Sequence, residues 1–391
     1  MKIKVGVVFG GQTVEHEVSI ISALQAIKNL NKEKYEIIPL YIDKNRIWYT
    51  GHVLTDIDTF KDFDNIKKYA KKVVLCKKGD SYFLQSTTGL FRKDVAELDI
   101  ILPVVHGNNV EDGTLAGYLD TVGIPYVGSH VLGAALGQDK VVMKQVMESA
   151  GIPIVDYTWF YDSEYLENKD QILKDIKKIG YPVVVKPATL GSSVGISVAK
   201  DDKAIEKCIE EAIEYDTKIV VEKCVDNLVE VNSSVLGNYE YQKVSVLEEV
   251  MGEDEILSFA DKYLGSAKKT GSSSKGMEST SRIVPARISE ELTKEIQETS
   301  KKVFRALNLS GVCRIDYLID SKTNKFYVNE PNTIPGSLAF YLWKETNLNY
   351  PELLDEMIKI AIKDYKNKAR KTKIFDSNIL EGFNGSKGLK K

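Results

Sequence analysis

The sequence predicts an α/β domain on a parallel sheet at the N-terminus, followed by two α+β units. Three observations predict this. Short apolar, Val-rich runs alternate with helix-period segments through roughly the first 128 residues. Near residue 181 two strand-like runs are joined by a short Gly/Ser loop, which makes a hairpin and not a crossover. From about 227, strand-like segments surround one long helical segment and end on another.

Taken in order, residues 3–9 (IKVGVVF) form the first buried strand, closed by Gly10-Gly11. A helix over 15–30 follows, with Val18, Ile21, Leu24, Ile27 and Leu30 on one face. Further strands are expected at 35–42 (YEIIPLYI), 97–105 (ELDIILPVV) and 124–127 (IPYV). Residues 50–95 are polar and without period, and read as an irregular elaboration of this domain. A helix at 137–150 precedes Gly151-Ile152-Pro153, and one at 166–179 leads into YPVVVKP (181–187). VGISVAK (194–200), a helix at 201–214 and a strand at 218–223 complete the middle unit. The last unit has strands at 228–236, 241–249, 311–319 and 324–330, with helices at 288–307 and 350–364. Residues 264–281 are Ser/Gly/Lys-rich and read as a mobile loop, and the segment beyond 366 as a loosely held basic tail. The expected division is therefore 1–128, 129–226, 227–366 and the tail 367–391.

Basic and acidic residues nearly balance, 53 against 56, which gives no reason to expect nucleic acid or an anionic membrane as partner. No apolar run is long enough to span a bilayer, and the apolar run after Met1-Lys2-Ile3-Lys4 is too short for a signal peptide. Cys76, Cys208, Cys224 and Cys313 form no C-x-x-C pair or disulfide framework, and the four histidines show no zinc-ligand spacing. A cytoplasmic location is the expectation.

Five clusters carry chemistry. In CRIDYLID and YVNEPNTIPGS, Arg314 with Asp316 and Glu330 with Asn332 are two apart, so each pair shares a strand face. Pairing the strands gathers three oxygen ligands and a guanidinium, a set suited to magnesium and phosphoryl transfer. The wet face of a surface hairpin would give either segment alone. Lys186 precedes the small-residue loop Thr189–Gly195, which lets backbone N–H groups approach a phosphate, although no Gly-Lys-Ser/Thr opens a helix there. A tight hairpin turn has the same composition. Glu222-Lys223 and Glu230 could meet a base and a ribose, or simply face solvent. Gly10-Gly11 with Glu15 ends a strand and opens a helix, a common ligand position, though an acid there is also favoured by the helix dipole. His106, in VHGNNVEDGT, follows another strand and points to the same crevice; alone it would read as structural.

Together, GGQTVEHEVS, HGNNVEDGTLAGYLD, KPATLGSSVG, CRIDYLID and NEPNTIPGS resemble the D-alanine–D-alanine ligase family of the ATP-grasp superfamily, from Lys4 to about Tyr365. The resemblance implies an ATP-grasp fold behind a Rossmann-like N-terminal domain. It implies that Lys140, Lys186 and Lys262 contact the phosphates of ATP, Glu222 and Lys223 the adenine, and Glu230 the ribose. Asp316, Glu330 and Asn332 would bind two magnesium ions, or manganese in their place. Glu15 would hold the ammonium group of the first D-alanine, with Ser192 and Tyr263 in one hydrogen-bonded network and His106 nearby. Arg314 and the Gly336 N–H would form an oxyanion site. Residues 259–281 would be a lid that brings Lys262 and Tyr263 to the site. A homodimer making D-alanyl-D-alanine for peptidoglycan is the implied protein.

One departure bears on the acceptor. Where the family has a serine for the second D-alanine's carboxylate, this chain has Tyr341, with Ser337 nearby as another candidate ligand. A sister ligase using D-lactate or D-serine is therefore an alternative. An ATP-grasp carboxylase fits Glu15 and HGNNVEDGT poorly. A non-catalytic nucleotide-binding module would not need Arg314 together with three metal ligands.

Overall fold

The computed structural model describes residues 2–89, 92–251 and 282–372. Among these, the first sheet holds β1 (Ile3–Gly10), β2 (Tyr35–Ile42), β3 (Trp48–Thr50), β4 (Lys71–Lys78), β5 (Ser81–Ser86), β6 (Asp94–Leu98) and β7 (Ile100–Pro103). The order is β6-β5-β4-β3-β2-β1-β7. β1 pairs in parallel with β2 and β7. The pattern over 50–95 misleads: this segment is not irregular, because β3 to β6 run antiparallel to one another and extend the sheet. Strands such as β4 bury Val73 and Leu75 but expose Val74, so they lack the continuous apolar run of a strand covered on both faces. The expected strand 97–105 is two strands, divided at Asp99, whose carboxylate accepts from the Lys4 N–H. Residues 124–127 contribute only an isolated bridge, Tyr126 to Ile101.

The helix His16–Asn29 buries Ser19, Ile20, Ser22, Ala23, Ala26 and Ile27, a face rotated from the expected one. Its small residues bring it close to β1, and Val18, Ile21 and Leu24 stay half-buried. Both faces of β1 are covered: Val5, Val7 and Phe9 on one, Val8 on the other. The first of these clusters also takes in Trp343, Leu353, Leu354 and Met357, so the two ends of the chain share a core. Each such side chain contributes roughly 1.5–3 kcal/mol by leaving water.

The second sheet is antiparallel, with β8 (Tyr157–Tyr161), β9 (Val183–Pro187), β10 (Ser197–Ala199) and β11 (Lys218–Lys223) in the order β10-β9-β11-β8. β8 is not among the expected strands. The helix expected at 137–150 is Lys140–Ser149, and a separate helix, Val131–Gln138, precedes it. Asp139 separates them by capping the second, accepting from the Val141 and Val142 N–H groups.

The third sheet holds β12 (Leu228–Gly237), β13 (Gln242–Val244), β14 (Glu248–Val250), β15 (Arg282–Ile283), β16 (Gly311–Asp320) and β17 (Lys325–Asn332). Its order is β15-β14-β12-β16-β17, with β13 also on β12. The strand expected at 241–249 is thus two short ones. The helix Glu290–Ala306, capped by Ser289, packs Leu292, Ile296, Val303 and Phe304 onto this sheet. The last helix, Tyr350–Ala369, starts at an Asn349/Glu352 capping box and runs through the expected tail boundary at 366. No helix among the described residues is long and apolar enough to cross a membrane.

Candidate active site

β1 and β7 lie side by side, so the loops leaving their carboxyl ends face one crevice. Glu15 comes from the first loop, and the Ser192 hydroxyl donates to its Oε1 from the middle unit. The two loops can approach because Gly107 lacks a side chain. It has φ +82°, and a Cβ there would lie 2.3 Å from Thr13 Oγ1 and 2.9 Å from Glu15 Oε2. His106 is buried, and burial lowers its pKa. Its Nδ1 lies 2.8 Å from the Ile334 carbonyl and its Nε2 3.2 Å from Ser22 Oγ. The Ser337 N–H donates to that same Ser22 oxygen. A neutral imidazole protonated at Nδ1 satisfies this whole chain. Glu111, from the same loop, accepts from the N–H groups of Gly107 and Ile334 and from the Thr333 hydroxyl. Desolvation and the nearby Glu15 push its carboxyl up to about 7.

The middle sheet gathers a second group. Lys186 on β9 faces Val220, and Glu222 is two residues further along β11, so the two share a face. Lys186 Nζ donates to Glu222 Oε2 at 2.8 Å and to Asn329 Oδ1 at 3.1 Å. Lys140 and Lys144 are one turn apart on the next helix. Lys144 is fully buried, 3.2 Å from Glu222 Oε1. Burial alone would raise the Glu222 carboxyl, but Lys144 and Lys186 outweigh it and hold it down to about 2. Two lysines thus face one carboxylate in this buried cluster. Lys140 Nζ reaches the Leu190 carbonyl at 2.6 Å and Glu330 at 3.4 Å. Lys223 Nζ donates to the Gly180 and Tyr181 carbonyls.

The third sheet supplies the rest. Glu248, Asn232, Asp316 and Glu330 are directly opposite one another across β14, β12, β16 and β17. Arg314 pairs with Asn332 one step along the same face. The Arg314 guanidinium grips Asp316 at 2.6 and 2.8 Å, and Asn332 Nδ2 donates to Asp316 Oδ2 at 3.1 Å. After β17 the chain turns through Ser337, Leu338 and Ala339, all with positive φ. Three such residues in a row are rare for side chains bearing a Cβ and store strain of about 1–3 kcal/mol each. The turn presents Gly336 to the cavity and buries Ser337.

Two cavities meet here. One is lined by Glu15, His106, Arg314, Asp316 and Gly336. The other lies between the second and third sheets, with Lys186, Glu222 and Lys223 on one side and an apolar wall of Val184, Val198 and Leu318. Lys140, Ser192, Glu230 and Glu330 line both, so the cavities join at these side chains. Ser337 and Tyr341, expected at the second substrate, are buried and line neither cavity. Lys262, Tyr263 and the segment 259–281 lie outside the described residues.

Models of the D-ala D-ala ligase N-terminus and C-terminus match residues 4–129 and 146–359. The D-alanine–D-alanine ligase of Thermosipho melanesiensis is 38% identical over 381 residues, 97% of this chain and 98% of the relative. The chain belongs to the D-alanine–D-alanine ligase family. The ligase of Bacillus cytotoxicus is also 38% identical, over 94% of this chain and 98% of the relative. Among solved structures, the D-alanine–D-alanine ligase from Coxiella burnetii superposes with a TM-score of 0.78 at 29% identity, covering 94% of this chain and 96% of that one. The VanG D-Ala:D-Ser ligase from Enterococcus faecalis gives 0.76 at 29% identity, covering 92% and 100%.

Lys144, Glu111, Glu248 and Arg282 stand at or beside the site, and none is among the residues the sequence singles out for a role. The Lys140/Lys144 spacing on one helix turn was visible, but burial beside Glu222 was not. Glu248 and Arg282 have no local signal at all. They reach the site only because β14 pairs with β12 and β15 pairs with β14.

Proposed function

We propose that this chain joins two D-alanines in an ATP- and magnesium-dependent reaction, through an acyl phosphate, for peptidoglycan precursor synthesis in the cytoplasm. The observation that carries the proposal is the row of Asn232, Asp316 and Glu330 beside Arg314, all lining the first cavity, with Glu330 lining the second as well. ATP would lie over the Lys186–Glu222 face, with the apolar wall against the base. Lys140 and Lys186, which line this cavity, suit a polyphosphate. Two carboxylates and an amide oxygen fit a hard divalent cation, whose other ligands would be phosphate oxygens and water. Magnesium held by Asp316, Glu330 and Asn332 would neutralise charge on the transferring phosphoryl group.

The residues then divide the work. Glu15, steadied by Ser192, holds the first D-alanine by its ammonium group, so the carboxylate points to the cavity junction. That carboxylate attacks the γ-phosphorus and ADP leaves, which turns a poor electrophile into an acyl phosphate. The free amine of the second D-alanine attacks the acyl carbon. Arg314 and the Gly336 N–H receive the negative charge of the tetrahedral intermediate, and phosphate departs as the peptide bond closes. Asp316 now occupies Arg314, so the guanidinium must turn partly from it as substrates enter.

The test is ATP-dependent phosphate release with magnesium and D-alanine, with the product identified by mass. D-alanyl-D-alanine with one ADP per dipeptide is the expected result. D-alanine inert alone, but productive with D-lactate or D-serine, would reassign the acceptor. No turnover with any pair would refute the ligase reading.

A further inference from the structure

Arg282 stands on the cavity wall beside Arg314 and Gly336 without a role in the steps above. It sits on β15 opposite Val250. Its guanidinium carbon is 3.9 Å from the centre of the Tyr341 ring, and its Nη1 donates to Glu248 Oε2 at 3.0 Å. Glu248 is itself fixed, because its Oε1 accepts from the Tyr341 hydroxyl and from Asn232 Nδ2, both at 2.9 Å. Glu248 and Tyr341 are both buried. Side chains from β12, β14 and the helix Phe340–Lys344 therefore hold one guanidinium in one orientation at the edge of the cavity.

A planar guanidinium carries N–H donors in a rigid fork that matches a carboxylate, and stacking on an aromatic ring pre-organises it. Among the described residues, the other substrate charges have groups proposed to answer them. Glu15 answers the ammonium of the first substrate, Arg314 the developing oxyanion, and Lys140 faces the phosphate end. The second substrate also brings a carboxylate into this cavity, where an unpaired charge removed from water is costly.

We propose that Arg282 binds the carboxylate of the second substrate, with Tyr341 and Glu248 holding its guanidinium in place. The inference rests on the ligase reading and specifies its acceptor class, a small amino or hydroxy acid with a free α-carboxylate. It also accounts for Tyr341, whose side chain acts from behind the wall through Arg282 and does not touch the substrate.

The experiment uses the full chain and its Arg282→Gln and Arg282→Lys variants, with D-alanine as donor, ATP and magnesium. D-alanine and D-alaninamide compete as acceptors, and products are separated by mass. The wild type should favour D-alanine over the amide by about 10- to 100-fold, the range of a charge-assisted hydrogen bond. Arg282→Gln should raise the acceptor KM by a similar factor and erase the preference, with the KM values for ATP and donor within about twofold. Arg282→Lys should keep part of the preference. A wild type indifferent to amidation overturns the inference, whatever the variants do. So does an Arg282→Gln variant that keeps the preference, or one in which all three KM values rise together. A wild type that makes no dipeptide from D-alanine overturns the ligase reading itself, and is told apart because it fails without any substitution.

Discussion

Glu222 is the anion that two buried lysines share beside the second cavity, and replacing it by glutamine should be costly in a specific way. Its carboxylate is 2% exposed and lies 2.8 Å from Lys186 Nζ and 3.2 Å from Lys144 Nζ. A carboxyl held down to about 2 instead of 4.5 corresponds to about 3 kcal/mol, at roughly 1.4 kcal/mol per pH unit. The folded value lies below the unfolded one, so this stability is present above pH 4.5 and is lost as the pH falls towards 2. Glu222→Gln leaves two buried ammonium groups facing each other. Breaking a buried pair from one side costs about 3–5 kcal/mol, which agrees with the first figure. Lys144→Met acts differently. Burial already lowers the pKa of this lysine, and its removal leaves a balanced Lys186–Glu222 pair, so the cost should be about 1 kcal/mol or less. Added to Glu222→Gln, Lys144→Met removes the like-charge repulsion and should recover about 1–3 kcal/mol. Urea unfolding of the wild type, both single variants and the double variant at neutral pH measures all four. The reasoning is refuted if Glu222→Gln costs less than about 1 kcal/mol, or if the double variant is less stable than Glu222→Gln alone.

Three further outcomes follow from the geometry. Glu111 is raised to about 7 by burial and by Glu15, so the folded chain holds more protons there than the unfolded one. Stability should therefore fall as pH rises from 4.5 through about 7, by up to about 3 kcal/mol, and Glu111→Gln should remove that fall in urea midpoints measured across the window. Gly133→Ala places a Cβ 2.4 Å from the Asn308 carbonyl oxygen; it should cost about 1–3 kcal/mol, read as a lower Tm. Arg314→Met should lower kcat by about 10²- to 10³-fold with the ATP KM changed only slightly, because the role proposed for the guanidinium is on the intermediate. A KM effect of the same size would place Arg314 in nucleotide binding instead.

What the sequence determined is what depends on neighbours along the chain. The Val-rich runs around Gly10-Gly11, the Gly/Ser hairpin after Lys186, and the two-apart spacing of Arg314, Asp316, Glu330 and Asn332 are all local patterns. Each is legible because the strand period of two and the breaking power of glycine act over a few residues. These patterns carried the α/β start, the hairpin pair of the third sheet and the family resemblance. Tertiary structure decided the rest. Strands β3 to β6 alternate too weakly to stand out, and form because an edge of the first sheet is there to receive them. Lys144 reads as an ordinary helix lysine until β11 sets Glu222 against it. Arg282 and Tyr341 lie 34 and 93 residues from Glu248 along the chain. Only strand register and a left-handed turn after Gly336 bring them to one wall. Register is fixed by which faces the whole core buries, so the identity of that wall's residues is a property of the assembled fold and not of any segment within it.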